Sequence, residues 1–270
     1  MVYEILPATD ATMDEVEIWL DEEETLYQAA YEVWEKGEYN ANIPPRGFHC
    51  NWKTVKKSWC EGKARVDVLL VDGQTIGFLN GTDILEIKPA FRKAGYGRVL
   101  ADFMLNLAYD EGYSVVEIDI APETAAPFWK QMGFSSVPAR RGNGSGIYAY
   151  KVLPRIFRLT DGKHVPYSVE FFSEDERYKE IPKPFAQFSG LGKYFPDGAL
   201  QLPERAYCHQ PMDAQHVDYF VKIEIDRRII YFDKVKYEEG KQYGVERDAG
   251  FVHFIDRINP QIALIIPQSQ

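Results

Sequence analysis

The sequence predicts an α/β protein, an α+β mixed sheet with helices on both faces, followed by a smaller β-rich domain. Three observations predict it. β-rich runs alternate with amphipathic helical patterns over the first 150 residues. A glycine-containing decapeptide, FRKAGYGRVL (Phe91–Leu100), lies between a strand and a helix. Beyond Pro154 the helical periodicity gives way to long β-rich runs.

In chain order, VYEILPAT reads as a first strand, and Thr12 followed by Glu15 reads as a capping box. MDEVEIWLDEEETLYQAAYEVWEKG mixes acids with Val, Ile, Leu, Ala, Tyr and Trp as one or two amphipathic helices. GEYNANIPPRG breaks them, and NWKTVKKSWCEG is a short helix. KARVDVLLVDGQTIGFLNG is a hairpin turning at Asp72-Gly73, and DILEIKP is a strand stopped by Pro89. After the decapeptide, Val99, Leu100, Phe103, Met104, Leu107 and Ala108 recur three or four residues apart, a helix with one buried stripe that ends near Gly112. YSVVEIDIAP is a strand, TAAPFWKQMGF a short helix, and SGIYAYKVLP a closing strand.

A domain boundary is expected near residue 153, giving residues 1–153 and 154–270. In the second part, RIFRLTDGKHVPYSVEFF reads as a hairpin turning at Asp161-Gly162, and DYFVKIEIDRRIIYFDKVKY as two long strands. Between them IPKPFAQFSGLGKYFPDGALQLPERA shows little periodicity. This region is either a domain of its own or an extension of the first domain's sheet. No internal repeat copies the glycine decapeptide.

Composition narrows the classes. A chain that is 45% hydrophobic and 27% charged buries a real core. It has no apolar run of membrane-spanning length and no signal peptide at MVYEILPATD, so a cytoplasmic protein without membrane partners is expected. Three cysteines, Cys50, Cys60 and Cys208, in no CxxC spacing read as reduced thiols. Residues 1–150 carry 14 Lys and Arg against 23 Asp and Glu, whereas the remainder carries 17 against 18. That imbalance repels phosphate backbones, so nucleic acid is not an expected partner, and it favours cationic small molecules; the bland reading is that the acids keep the chain soluble. Asp21, Glu22, Glu23 and Glu24 either guide a cationic acceptor or form a solvated helix face. His209 and His216, near Cys208 and Asp213, fit no standard ligand set, so no metal is expected. The aromatic C-terminal strands could stack bases, but their near-neutral charge supplies no phosphate attraction.

Glycine costs about 1 kcal/mol relative to alanine in a helix, yet Gly95 and Gly97 stand where one begins. The first N–H groups of a helix have no internal partner and carry the positive end of its dipole. A phosphate can satisfy them when no side chain blocks its approach. Arg92, Lys93 and Arg98 surround the spot with positive charge. Charge-assisted hydrogen bonds contribute roughly 1.5–3 kcal/mol each, so three or four outweigh the glycines. The decapeptide therefore reads as an anion cradle suited to a pyrophosphate. A P-loop would need Gly-Lys-Ser/Thr, and Arg98-Val99 follows Gly97; a dinucleotide fold would need a third glycine at position 100, which is Leu.

The stretch LEIKPAFRKAGYGRVL resembles motif A of the GNAT acyltransferase superfamily, with Arg92, Gly95 and Gly97 in its three fixed positions. APFWKQMGF resembles motif B. The resemblance covers about residues 1–152. It implies a GNAT fold and an acetyl-CoA-dependent N-acetyltransferase acting on a primary amine, with acetyl-CoA as co-substrate. On that resemblance the N–H groups of Lys93, Ala94, Gly95, Tyr96, Gly97 and Arg98, with the Arg92 side chain, would hold the pyrophosphate. Leu85 and Ile87 would bond the pantetheine through their main chains, and an N–H near Ile87 would stabilise the oxyanion. Strand alternation puts Glu117 and Asp119 on one face, opposite Val116, Ile118 and Ile120. A carboxylate on a covered central strand is costly unless it faces a cleft. Glu117, twelve residues before Trp129, matches the general base of some peptide N-terminal acetyltransferases, and Glu86 is the second candidate. The ordinary reading makes both acids salt-bridged or sheet-edge groups.

The chain departs from the family where motif B often carries a tyrosine acid, since Trp129 stands there, and Pro122 replaces the asparagine often found seven residues earlier. Tyr148 or Tyr150 could substitute as acid, or the thiolate leaves unassisted; packing is the ordinary role of both tyrosines. A small amine-bearing molecule is the expected acceptor. Alternatives are a protein lysine or N-terminal acetyltransferase, a toxin acetylating aminoacyl-tRNA, and a non-catalytic acyl-CoA-binding module. Oligomeric state is left open, a homodimer included.

Overall fold

A computed structural model describes residues 2–36, 51–141, 146–159, 162–209, 219–236, 238–248 and 252–260. The chain is of mixed α/β class and forms two compact units, Met1–Leu107 and Ala108–Gln270. Among the described residues no helix is long and apolar enough to cross a membrane.

The first unit contains β1 (Tyr3–Pro7), α1 (Asp10–Lys36), α2 (Trp52–Cys60), β2 (Val66–Val71), β3 (Gln74–Asn80), β4 (Ile84–Ile87) and most of α3 (Tyr96–Asp110). The strands form one antiparallel sheet in the order β1-β2-β3-β4. Asp72 and Gly73 both take positive φ (49° and 81°), the geometry that matches a two-residue turn to the twist of β2 and β3. The chain break expected over GEYNANIPPRG lies outside the described residues.

The acidic segment is a single helix of 27 residues rather than two. Its cap lies one turn earlier than Thr12–Glu15. The N–H of Thr9 donates to Thr12 Oγ1 at 2.8 Å, and the N–H of Thr12 donates to Thr9 Oγ1 at 3.4 Å. This is a reciprocal cap with threonine in place of the usual Glu. Glu15 instead accepts the N–H of Thr75 in β3, at 3.2 Å. Only Met13, Val16, Trp19 and Leu20 of α1 are buried, and they pack with Trp52, Val55, Val66, Val68 and Phe78. The Phe78 ring centre lies 6.1 Å from that of Trp19 and 5.2 Å from that of Trp52. Asp67, buried in β2, is neutralised by two Arg65 hydrogen bonds of 2.8 and 2.9 Å.

The buried stripe of α3 is rotated from the expected one. Leu100, Ala101, Met104, Leu105 and Ala108 are buried, while Val99, Phe103 and Leu107 are only half-buried. The line 100–104–108 is the centre of the stripe, and periodicity alone misassigned its edge. Gly112 (φ 95°) ends the helix with the N–H of Tyr113 donating to Ala108 O at 3.0 Å, a Schellman closure.

The second unit opens with β5 (Val115–Ile120), α4 (Ala126–Gln131), β6 (Ser135–Arg141) and β7 (Ile147–Val152). Pro127 causes no break because it sits in the first turn of α4, where no N–H partner is needed. The strand order is β5-β7-β6, antiparallel throughout. β6 was not expected: SSVPARR is polar, and its pairing slips between Ser136 and Arg141, around Pro138.

The rest of the unit contains β8 (His164–Ser173), α5 (Glu174–Arg177), β9 (Ala186–Tyr194), β10 (Leu200–Cys208), β11 (Tyr219–Ile225), β12 (Arg228–Lys234), α6 (Glu238–Gln242), β13 (Glu246–Arg247) and β14 (His253–Ile258). The strands make a separate antiparallel sheet in the order β12-β11-β8-β9-β10-β14-β13. Val165, Tyr167, Val169 and Phe171 of β8 and Val221, Ile223 and Ile225 of β11 bury alternate positions on one face, with Leu200, Leu202, Ala206 and Cys208 of β10. The expected hairpin of RIFRLT with β8 does not form. Ile156 bridges Glu204 of β10 instead; position 161 of the expected turn lies outside the described residues. The Pro/Gly-rich stretch without periodicity is in fact β9 and β10. A Cβ on Gly192 would lie 2.8 Å from Leu200 Cγ and 2.9 Å from Gln201 O, so close strand contact, not a loop, requires that glycine. Pro203 is tolerated because the β10–β14 register shifts between Gln201 and Ala206.

Arg205 ties β10 into this unit. Its guanidinium forks onto Asp256 of β14 at 2.8 and 2.6 Å, donates to Gly112 O at 2.5 Å and Ser114 Oγ at 3.1 Å, and lies 3.8 Å from the Phe254 ring centre. With the Arg205 side chain 7% exposed, removing it strands the carboxylate. Arg205→Ala is expected to lower unfolding free energy by about 3–5 kcal/mol in urea titrations.

Burial pushes the His253 imidazole of β14 down to about 4, and Arg247 beside it adds to the shift. The unfolded chain therefore takes up that proton near the ordinary value of 6.5 while the folded chain stays neutral. Stability from this group is complete above 6.5 and is lost as pH falls towards 4. The thermal midpoint of wild type should thus fall more over that interval than the midpoint of His253→Gln.

Candidate active site

The anion cradle is built in the first unit. After the 3₁₀ turn Pro89–Phe91 the chain extends at Arg92 (φ −66°, ψ 158°), then takes positive φ at Lys93 (64°) and Gly95 (91°) before α3 begins at Tyr96. Alternation between ordinary and left-handed backbone turns successive N–H groups towards one side, the geometry of an anion nest. The carbonyl of Gly95 accepts the N–H groups of Arg98 (3.0 Å) and Val99 (3.3 Å), which makes Gly95 the N-cap and leaves the start of α3 to point its first-turn donors outward. Nothing lies within 4 Å of where a Cβ on Gly95 would stand. Lys93, Ala94, Gly95 and Arg98 are exposed, while Tyr96 and Gly97 are half-buried. Open backbone donors ringed by cations suit an anionic group.

Arg92 has a different task from the cations around it. Its Nε donates to Ile87 O at 2.9 Å, and its Nη2 donates to Glu86 Oε1 at 2.8 Å. Glu86 Oε1 also accepts the N–H of Ile87 at 3.1 Å. Arg92 thus fixes the loop to the end of β4. The Glu86 side chain is 14% exposed, and burial raises its carboxyl above the usual range despite the opposing pull of Arg92. It is held as an ion-pair partner. The main-chain groups of Leu85 and Ile87 face away from β3, since Lys88 N–H donates back to Ile76 O and alternate residues face opposite sides; β4 is the last strand of its sheet. At that edge the Ile87 N–H already donates to Glu86 Oε1 and the Ile87 carbonyl already accepts from Arg92 Nε.

Gly77 in β3 supports this end of the sheet. A Cβ there would meet Ile87 Cδ1 at 2.6 Å, Glu86 O at 2.7 Å and Leu100 Cδ1 at 3.3 Å. The sequence offered only a glycine in a strand as its signal.

The second unit brings Glu117 and Tyr148 together. Val116, Ile118 and Ile120 are buried and Glu117 and Asp119 are not, as strand alternation predicts. Glu117 is paired in register with Tyr150, and Asp119 with Tyr148, so all four share one face. The Tyr148 hydroxyl reaches diagonally to donate to Glu117 Oε1 at 2.6 Å. His209, the residue after β10, places Nε2 2.8 Å from the same oxygen. The Glu117 side chain is 29% exposed and that of His209 only 5%. Sequence reasoning weighed His209 as a metal ligand; Asp213 and His216 of that grouping lie outside the described residues. No spacing links positions 117 and 209, so only folding could reveal their contact. Trp129 packs between Phe128 and Phe134, with ring centres 5.0 and 5.1 Å away, as a structural aromatic.

Each unit thus carries its own part of the predicted set. Leu85, Glu86, Ile87 and positions 92–98 are in the first unit, and Glu117 and Tyr148 in the second. In Gly95→Ala the side chain finds room but the backbone stays left-handed. The substitution should cost about 1–2 kcal/mol of stability, read from urea unfolding.

No family model matches the chain, and no curated protein matches it. It is similar to several solved structures. A GNAT-family acetyltransferase from Staphylococcus aureus Mu50 is 11% identical with a TM-score of 0.37, over 56% of this chain and 99% of that one. The PaiA N-acetyltransferase of Thermoplasma acidophilum, in complex with coenzyme A, is 15% identical with a TM-score of 0.34, over 57% and 100%. The ribosomal-protein-S18-alanine N-acetyltransferase of Escherichia coli is 12% identical with a TM-score of 0.34, over 55% and 90%.

Proposed function

We propose that this protein is an acetyl-CoA-dependent N-acetyltransferase acting on a primary amine carried by a small cationic molecule, with residues 154–270 as an accessory domain. The observation that carries this reading is the left-handed pair Lys93 and Gly95 opening α3 directly after an edge strand whose main chain faces outward. In this arrangement the first-turn donors of α3, with Lys93 and Arg98, hold the diphosphate. The outward groups of Leu85 align the pantetheine, since those of Ile87 are held by Glu86 and Arg92.

Acetyl-CoA supplies an activated thioester. The remaining chemistry falls to the chain. Glu117 accepts a proton from the amine nitrogen as the new N–C bond forms, because an ammonium has no lone pair with which to attack. The Ile87 N–H on the β4 edge donates to Glu86 Oε1, so it serves charge growing on the carbonyl oxygen only once that carboxylate is displaced. The C–S bond then breaks and coenzyme A leaves as its thiolate, while the Tyr148 hydroxyl stays bonded to Glu117. The excess of acids over residues 1–150 favours a cationic acceptor.

Isothermal calorimetry with coenzyme A tests the cradle. Binding by wild type and its loss in a Lys93→Glu/Arg98→Glu double variant are expected, whereas no uptake by the intact protein overturns the proposal. With thiol release measured over an amine panel, Glu117→Gln should lower kcat by about 100-fold or more while leaving affinity for acetyl-CoA unchanged.

A further inference from the structure

Glu117 Oε1 is the meeting point of two donors on different parts of the second unit. Tyr148 comes from β7, next to β5. His209 comes from the far sheet, immediately after β10. The imidazole also packs on Tyr150, the register partner of Glu117, with ring centres 4.9 Å apart and planes inclined by 46°. Tyr148 Oη lies 3.4 Å from His209 Nε2, so carboxylate, phenol and imidazole form a closed triangle.

The burial of the ring determines its tautomer. His209 Nδ1 is buried and has no hydrogen-bond partner among the described residues. A proton on Nδ1 would be an unsatisfied buried donor, and the bare Nε2 lone pair would then face a carboxylate oxygen. The neutral ring therefore carries its proton on Nε2 and donates it to Glu117. Two donors on one oxygen stabilise the charged carboxylate and restrict rotation of its plane. Arg205, four residues earlier in β10, is anchored to Asp256, Gly112 O and Ser114 Oγ.

We propose that His209 is a positioning residue for Glu117, so that the C-terminal sheet completes the proton-accepting end of the active site. This inference rests on the acetyltransferase reading and deepens it. The β-rich region acquires a catalytic purpose: it orients the base through one carboxylate oxygen. His209 itself, at 5% exposure, does not touch substrate. Among the described residues the groups facing it are Glu117, Tyr148 and Tyr150.

The test compares wild type with His209→Ala, His209→Gln and His209→Asn in steady-state thiol release, followed from about pH 5 to pH 9 around the ordinary carboxylate and imidazole values. One lost charge-assisted hydrogen bond corresponds to a fall in kcat of about tenfold or more in His209→Ala, with KM for acetyl-CoA unchanged. The acidic limb of kcat/KM should move to higher pH, because a carboxylate short of a donor binds its proton more tightly. Gln, whose amide N–H can replace Nε2–H, should recover most of kcat and return the limb. The shorter Asn should not. If Ala disrupts folding, the Gln and Asn pair decides alone. A wild type that turns over, with all folded His209 variants matching its kcat and pH profile, overturns the proposal and leaves the acetyltransferase reading intact. A wild type that releases no thiol with any amine overturns both.

Discussion

The buried Arg205 fork is the interaction on which the second unit depends. A buried guanidinium is costly unless its donors find partners, and here four hydrogen bonds join β14, through Asp256, to the turn before β5, through Gly112 O and Ser114 Oγ. Two further contacts run beside it: Arg205 N–H to Arg155 O at 2.9 Å, and Phe157 N–H to Pro203 O at 2.8 Å. Residues 155–157, between β7 and β8, are thereby bound to β10. A slip of β10 by one residue would turn its buried side chains outward and carry the residue at its end away from Glu117.

That constraint explains why a residue from a region without a recognised motif can reach a carboxylate on β5. Placing a base requires more than a carboxylate on the correct face, since a half-exposed glutamate can rotate through several orientations. Tyr148 supplies one restraint from the neighbouring strand, and the imidazole supplies another from the other sheet. Each donor also makes the charged form of Glu117 easier to hold in a partly buried position.

The first unit handles the opposite charge problem. Its cradle concentrates positive potential at a helix start, yet Arg92 is turned inward onto Glu86 and Ile87 O. The arginine fixes the path by which the chain leaves β4 and enters the nest, while Lys93 and Arg98 remain exposed around it. Gly77 lets the edge strand and the first turns of α3 approach closely enough for this to work. Backbone shape and exposed charge are thus separate contributions from neighbouring residues.

The sequence by itself determined whatever depends on neighbours along the chain. The Asp72-Gly73 turn, the alternation around Glu117 and the glycine end of α3 follow from local backbone preferences and short periodicities, and the structure has all three. It did not disclose β6, β9 and β10, because their glycines and prolines look like breakers until the close strand contacts and register shifts that require them are in place. Nor did it place the cap of α1, where Thr9 and Thr12 bond each other and Glu15 is drawn away to the N–H of Thr75 in β3. Tertiary structure alone decided that Arg92 binds Glu86 and that His209 binds Glu117. Contacts across 92 positions are set by which sheets pack together, and no local preference records that.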